Sequence, residues 1–409
     1  MLFRKMLEVV IHEGSLGVVD DRGRRSDFGS GQPHAVLRVH DPALEWTIPF
    51  NPPLRFAEAY MDGRLTVEEG TIEDVVRIFA RNYGRLERHP LVRAGFAVAR
   101  QTRRLKQHNP VGKAQRNVAH HYDLSEALYR LFLDEDMQYS CAYFAEPEMS
   151  LEEAQRAKKR HLAAKLHLDR PGLSVLDIGS GWGGLGLHLA GEFGCDVTGV
   201  TLSAEQHRVS EQRARERGLS DRARFQLRDY RELDRKFDRI VSVGMFEHVG
   251  KRNYDEYFAK VADLLTDDGI AVIHSIGRFN EPGPINPFIR KYIFPGADVP
   301  ALSEVTPAAE KSGLFMTDIE ILRLHYAETL RHWRQRFNAN RDRIREIYDD
   351  RFCRMWDLYL VGCEYGFRLQ GMMVFQMQLT KRQETLPLTR DYMYRAPAGV
   401  ASAGIRAAE

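Results

Sequence analysis

The sequence predicts an α/β fold, a Rossmann-like domain preceded by a smaller N-terminal α+β domain, and three observations predict it. Residues 175–206 run from a short apolar strand (Val175, Leu176, Asp177, Ile178) through a glycine turn into a helix with Leu185, Leu187, Leu189 and Ala190 on one side. A second strand at 196–200 follows, so the unit is a right-handed crossover of two parallel strands. Further on, 237–243 reads as a fourth strand and 271–277 as a fifth. Finally, 409 residues exceed what one small core organises, so two domains are expected.

The turn selects a ligand. Gly179, Gly181 and Gly183 are spaced Gly-x-Gly-x-Gly with Trp182 inserted, whereas a pyrophosphate cradle sets its last two glycines one residue further apart. That spacing favours S-adenosylmethionine over a dinucleotide; the competing reading is a Rossmann-like fold that takes no methyl donor. Asp229 and Tyr230 supply a second acidic position, suited to an adenine amine. At the close of the second strand, Thr201 stands where such folds usually place an acid on the ribose hydroxyls, followed by Leu202, Ser203 and Gln206. Residues 243–249 end the fourth strand at the sheet's carboxyl edge, and Glu247 is the carboxylate best placed to act there. His274 interrupts the apolar run of the fifth strand; a single histidine in a strand is more often a hydrogen-bonded core residue than a catalyst.

In the N-terminal domain, 15–19, 35–39 and 45–48 alternate like short strands, broken by Asp20-Asp21-Arg22-Gly23 and Gly29-Ser30-Gly31, and helices are expected at 54–61 and 72–83. Residues 91–105 read as a basic amphipathic helix. It reads equally as an element lying on an anionic membrane surface or as an interdomain helix with solvated arginines. A linker at 107–118 separates residues 1–106 from a catalytic domain at 119–384, and 385–409 reads as a loosely ordered tail. Lys and Arg number 59 against 57 Asp and Glu, a net charge of +2, so nucleic acid is not indicated as a partner. The four cysteines (Cys141, Cys195, Cys353, Cys363) lack CxxC or zinc spacing, so no metal site, reduced thiols and a cytoplasmic protein are expected. Neither an export leader nor an apolar run of about 18 residues is found, so a lipid would be reached from outside the bilayer.

Leu124, Leu128, Leu131 and Phe132 mark a helix capped by Asp123 or Ser125, in a segment expected to cover the ligand. On the helix 151–166, Arg156, Lys158, Lys159, Arg160 and Lys165 read as solvated. Residues 279–296, rich in proline, glycine and aromatics, read as a flap. Helices are expected at 326–340, 341–347 and 352–379, and the Met and aromatic stripe from Met355 to Met377 reads as core in preference to a lipid tunnel.

The motifs VLDIGSGWGG, GVTLSAEQ, FDRIVSVGMFEHVG, HSIGR and MQYSCAYF, in this order of position apart from the last, which lies upstream, resemble the cyclopropane-fatty-acyl-phospholipid synthases and related mycolic acid cyclopropane synthases from about Asn117 to about Leu379. The resemblance implies a class I S-adenosylmethionine-dependent methyltransferase fold, with donor contacts from Tyr139, Ser140, Thr201, Leu202 and Gln206 beside the glycine turn. It further implies a bicarbonate ion held by Glu247, His274 and Tyr326 through side chains and by Cys141 and Ile276 through backbone. A lone cysteine is usually a small buried hydrophobe; the family makes Cys141 a site position. Such an anion would serve as general base for the proton lost on ring closure, and the intermediate cation would need a dry pocket with aromatic faces. Tyr122, Tyr139, Phe246 and Tyr326 are candidates, with core packing as the other reading of Phe246. The implied activity is methylene transfer to the cis double bond of an unsaturated phospholipid acyl chain by a peripheral enzyme of the inner membrane face. A lipid-engaging, assembling N-terminal domain is also implied, as is a homodimer for which no stretch supplies a contact. Ser180 in place of a frequent cysteine and Phe144 in place of a frequent tryptophan leave the product open. The alternatives are a same-fold acyl C-methyltransferase giving methyl-branched or methylene chains, an amine N-methyltransferase, and a lipid-binding protein without catalysis.

Overall fold

The computed structural model describes residues 2–90, 93 and 125–394. The reading of 91–105 as a basic helix, the linker at 107–118, Tyr122 and the last fifteen residues of the tail lie outside them.

Eleven strands are described: β1 Gly14–Val19, β2 Arg25–Ser30, β3 His34–Val39, β4 Leu65–Glu69, β5 Ser174–Ile178, β6 Asp196–Thr201, β7 Ala223–Leu227, β8 Phe237–Val243, β9 Leu265–Arg278, β10 Phe315–Leu322 and β11 Met372–Thr380. The first four form one sheet in the order β2-β1-β3-β4. The other seven form a second sheet in the order β10-β11-β9-β8-β5-β6-β7. Strands β5 to β9 are parallel to one another, and β11 enters antiparallel to both β9 and β10. From β5 the chain walks outward through β6 and β7, then returns to lay β8 on the other side of β5. That reversal leaves a crevice at the strands' carboxyl ends, where open α/β sheets take their ligands. The Rossmann-like expectation is met in the strands that carried it: β5, the helix Gly184–Phe193, β6, β8 and β9 fall where the pattern put them.

Four expectations are corrected. Residues 45–48 are helical, in Leu44–Thr47 and the 3-10 turn Ile48–Phe50. The Asp41 carboxylate accepts from the Ala43 amide at 2.9 Å, so Asp41-Pro42 starts a helical turn in which Leu44, Glu45 and Ile48 turn inward. The helix expected to reach 379 ends at Leu369; Gly371, with φ +73°, turns the chain, and β11 runs back through the sheet. Lys158, Lys159 and Lys165 are buried, because they share the inward stripe of the helix Leu151–Lys165 with Leu151, Ala154 and Leu162. Residues 385–394 are held: Tyr392 shares a hydrogen bond with Gln378 at 2.9 Å, Met393 is buried, and Arg390 pairs with Asp318. Strands β2, β4 and β10 and the helix Leu2–Val10 were not anticipated.

The stripe from Met355 to Met377 is core: Trp356, Leu360, Met373, Phe375 and Met377 are all buried. The N-terminal sheet is packed onto the larger domain through the helix Asp350–Leu369. Arg354 donates to the Met61 carbonyl at 2.8 Å and Tyr365 to Glu73 at 3.0 Å, while Arg334 bridges Glu73 (2.5 Å) and Asp357 (2.6 Å). The flap is tied to the same module, since Lys291 and Tyr292 both donate to Glu58, at 2.6 and 3.0 Å.

Candidate functional site

The cleft lies at the reversal of strand order. Its walls include Gly179, Ser180, Gly181 and Trp182 from the turn after β5, Thr201, Leu202 and Gln206 from the end of β6, Asp229 and Tyr230 after β7, and Tyr139 and Ser140 from the segment that crosses over the top. Glycine is required in the turn for two reasons. Gly179 has φ +80°, and a Cβ there would sit 2.9 Å from Met245. Gly181 has φ +55° with open space around it, so a ligand can approach its backbone. Gly183 is the one proposed donor contact that does not line the cleft. It caps the helix Gly184–Phe193 with φ +81°, and a Cβ would meet Ser210 at 2.7 Å and Phe225 at 2.9 Å, so its smallness serves helix packing.

Thr201 donates to Gln206 at 3.0 Å and accepts from the Ser203 amide at 3.2 Å, which fixes both side chains at the cleft rim. The Asp229 carboxylate is clamped by Arg231, at 2.9 and 2.7 Å, and both residues line the cleft. The Tyr230 ring meets Tyr257 edge-on at 5.6 Å. Trp182 rests against Tyr129 at 5.6 Å.

The sequence reading overlooked what holds the crossing segment. Lys158, fully buried, donates to Gln138 Oε1 at 2.7 Å and to Ser140 Oγ at 2.9 Å, and Gln155 donates to the Ser140 carbonyl at 3.0 Å. Burial pulls the Lys158 ammonium down to about 8. The signal was its place, seven residues after Leu151 and four after Ala154, on the apolar stripe. Asp177 at the end of β5 is buried with one oxygen unpartnered among the described residues, and burial raises its carboxyl to about 7.

The five residues assigned to an anion sit behind this cleft and not on its walls. Glu247 is buried in the turn after β8; its Oε1 accepts from the Ile276 amide at 2.6 Å, and its Oε2 is buried without a partner among the described residues. Burial raises Glu247 to about 7, against the lowering effect of the Ile276 hydrogen bond. The Ile276 amide, expected to face an anion, is therefore engaged by Glu247. His274 is buried on β9 with Nδ1 3.1 Å from the Gln376 side-chain nitrogen; burial first, then Lys158, Lys165 and His161, hold it down at about 3, so the ring is neutral. Its carbonyl accepts from the Gly244 amide at 2.9 Å, and Gly244 lines the cleft. Cys141 is buried beside Ser140 with its thiol raised by burial. Its neighbour Ala142 donates to Thr329 at 3.0 Å, one turn along the helix from Tyr326.

Tyr326 opens the helix His325–Ala339 against Trp333 (5.7 Å) and Phe367 (5.0 Å). Tyr139 stacks on Trp333 at 5.1 Å and shares a hydroxyl hydrogen bond with Tyr359 at 2.9 Å, so an aromatic wall runs from the cleft toward Tyr326. Phe246 is absent from it, packed in the core on Tyr254, Tyr257 and Phe258. Among the described residues no group of three or more His, Cys, Asp or Glu is placed to hold a metal, and no helix is long and apolar enough to cross a membrane.

The family model described as mycolic acid cyclopropane synthetase matches residues 110–377. A probable fatty acid methyltransferase of Pseudomonas putida is 36% identical over 385 residues, covering 91% of this chain and 94% of that one. The cyclopropane-fatty-acyl-phospholipid synthase of Escherichia coli (strain K12) is 42% identical over 264 residues, 64% of this chain and 67% of its own. Among solved structures, mycolic acid cyclopropane synthase CmaA1 complexed with SAH and CTAB superposes with a TM-score of 0.62 at 33% identity, covering 66% of this chain and 99% of that one.

Proposed function

Because the chain belongs to the mycolic acid cyclopropane synthetase family and is an S-adenosylmethionine-dependent methyltransferase of that type, we propose that it converts the cis double bond of an unsaturated phospholipid acyl chain into a cyclopropane. The observation that carries this reading is Glu247: a carboxyl shut away from water behind the donor cleft, near neutral in affinity for its proton, with one oxygen unspent. Ring closure calls for such a group, since a proton must leave the transferred methyl.

Gly179, Gly181, Trp182, Thr201, Leu202, Gln206, Asp229 and Tyr230 hold the donor in this reading, and Tyr139 and Ser140 close over its sulfonium end. The donor set fits the open face at Gly181, where no atom lies within 4 Å of a built Cβ. Attack by the alkene on the sulfonium methyl leaves a cation on the acyl chain, which the aromatic wall of Tyr139, Trp333 and Tyr326 would stabilise by about 0.5–2 kcal/mol for each ring it meets. A pocket that excludes water would keep water from adding to it. The residues also suit a bicarbonate: Glu247 Oε2 is the orphaned buried atom such an ion would satisfy, and neutral His274 and Tyr326 are hydrogen-bond donors. Bound there, bicarbonate supplies a general base. Ile276 then acts through Glu247, holding its carboxyl in orientation.

The test is incubation with S-adenosylmethionine and vesicles of monounsaturated phospholipid, followed by mass spectrometry of the acyl chains. A gain of 14 mass units that resists hydrogenation supports the ring; absence of any methylated chain with release of no S-adenosylhomocysteine sinks the reading. The near full-length likeness to a probable fatty acid methyltransferase supports a second outcome, a methyl-branched or methylene chain made at the same site. A methylene or methyl-branched alkene also gains 14 units but takes up two hydrogens on hydrogenation, and fragmentation locating the extra carbon separates it from the ring.

A further inference from the structure

Three strands place a row of polar side chains beneath the site. In the register of the larger sheet His274 on β9 lies opposite Gln376 on β11, and Gln376 lies opposite Glu320 on β10. Residues directly opposed on neighbouring strands project to the same face, so the three form a polar line across the sheet. Gln376 is completely buried, between Phe375 and Met377, which point the other way into an apolar cluster. A buried amide costs about 1–3 kcal/mol unless it is hydrogen-bonded, so a glutamine here requires a partner that needs it.

That partner is His274, and we infer that Gln376 is a positioning residue which donates from its side-chain amide to His274 Nδ1, at 3.1 Å, and so fixes the imidazole as the tautomer with its proton on Nε2. The argument rests on what each atom can do. An amide nitrogen only donates, so the ring nitrogen facing it must carry no hydrogen. The amide could be turned to put its oxygen against Nδ1, which would select the other tautomer, and the surroundings decide between the two. Lys158 and Lys165 bear on His274 from the covering helix with positive charge, and Glu320 opposes them. An amide oxygen is the end stabilised by such a field, and an NH2 turned into it would be repelled. That field favours the arrangement present, in which the nitrogen faces the ring at 3.1 Å and the oxygen is buried without a hydrogen-bond partner among the described residues. With its proton fixed on Nε2, His274 is a neutral donor toward the reaction centre, the role the proposed function gives it, and the inference rests on that reading for its catalytic meaning.

The experiment uses the full chain labelled with 15N-histidine, with the His274 ring resonances identified by their loss in His274→Asn. We expect the Nε2–H tautomer in the wild type at pH 7. In Gln376→Leu the ring shifts should move to the average of a tautomer mixture. In Gln376→Glu, which keeps the shape and supplies an acceptor, the proton should move to Nδ1 or the ring should become an imidazolium. In parallel, turnover should fall about 10- to 100-fold, as for other groups that orient a ligating or catalytic imidazole, while S-adenosylhomocysteine binding changes less than twofold. If Gln376→Leu does not fold, Gln376→Glu carries the test. A wild-type ring in the Nδ1–H form, or shifts unchanged in the folded variants, would overturn the inference. Because the shifts do not depend on turnover, a wild-type enzyme that makes no ring yet holds the Nε2–H tautomer would refute the proposed reaction and leave the role of Gln376 standing.

Discussion

Glu247 shows how one residue trades stability against chemistry. Its folded affinity for a proton, at about 7, lies above the ordinary 4.5 of an exposed glutamate. A raised carboxyl stabilises the fold fully below its unfolded value, and the contribution is lost as pH rises through the folded one. Glu247→Gln should therefore melt higher than wild type at pH 8, by about 1–3 kcal/mol, with the difference shrinking toward pH 5; urea titrations across that range read it. The same variant should lose about 100-fold in turnover, within the span of a proton-transfer contribution, and still bind S-adenosylhomocysteine within twofold by calorimetry. Asp136 behaves in the opposite sense. Burial alone would raise its carboxyl, but Lys159, Arg213 and Arg217 outweigh burial and hold it at about 2. Its contribution is present above the ordinary 3.8 and lost as pH falls toward 2. Asp136→Asn should cost about 2 kcal/mol at pH 7, and the deficit should narrow below pH 4.

At the scale of elements the glycine turn separates two jobs that the spacing alone could not. Gly183→Ala places a Cβ 2.7 Å from Ser210 at φ +81°, and should cost about 2–4 kcal/mol of stability through strain and overpacking. Gly181→Ala meets no atom within 4 Å, so it should cost about 1 kcal/mol yet weaken S-adenosylhomocysteine binding tenfold or more. Thermal melts and calorimetry on the pair check this. The turn, β5, β6, β8 and β9 were legible because apolar runs bounded by glycine admit few alternatives. What was not legible came from partners far away in sequence. Lys158 reads as a wet charge until the stripe on its helix turns it toward Ser140. The segment 372–380 reads as more helix because methionine and phenylalanine suit either period, and only Gly371 hints at the break. Residues 45–48 alternate like a strand, but Asp41-Pro42 commits them to a helical turn. The cleft lining was largely readable from motifs, whereas the Ile276 hydrogen bond to Glu247 and the Gln376 contact to His274 depend on strand register, which no local pattern encodes.

Across the whole molecule, the N-terminal sheet and the larger domain share a charged contact whose cation is largely out of reach of solvent. Arg334 is 13% exposed between Glu73 and Asp357, and removing it leaves the Asp357 carboxylate, 8% exposed, with Arg341 at 3.8 Å and Asn338 at 3.4 Å. Arg334→Ala should cost about 1–3 kcal/mol and shift a single calorimetric transition for the whole chain; two transitions, with only one displaced, would show that the modules melt apart. The order of strands has a further consequence for how the protein is made. Strand β11 is the last to leave the ribosome, yet it occupies the slot between β9 and β10. Until about residue 380 has emerged, the nascent sheet presents the bare flank of β9, with His274 on it, to whatever other extended peptide is near. Mispairing at that moment, more than weakness of the finished fold, is where this chain is exposed to aggregation during synthesis.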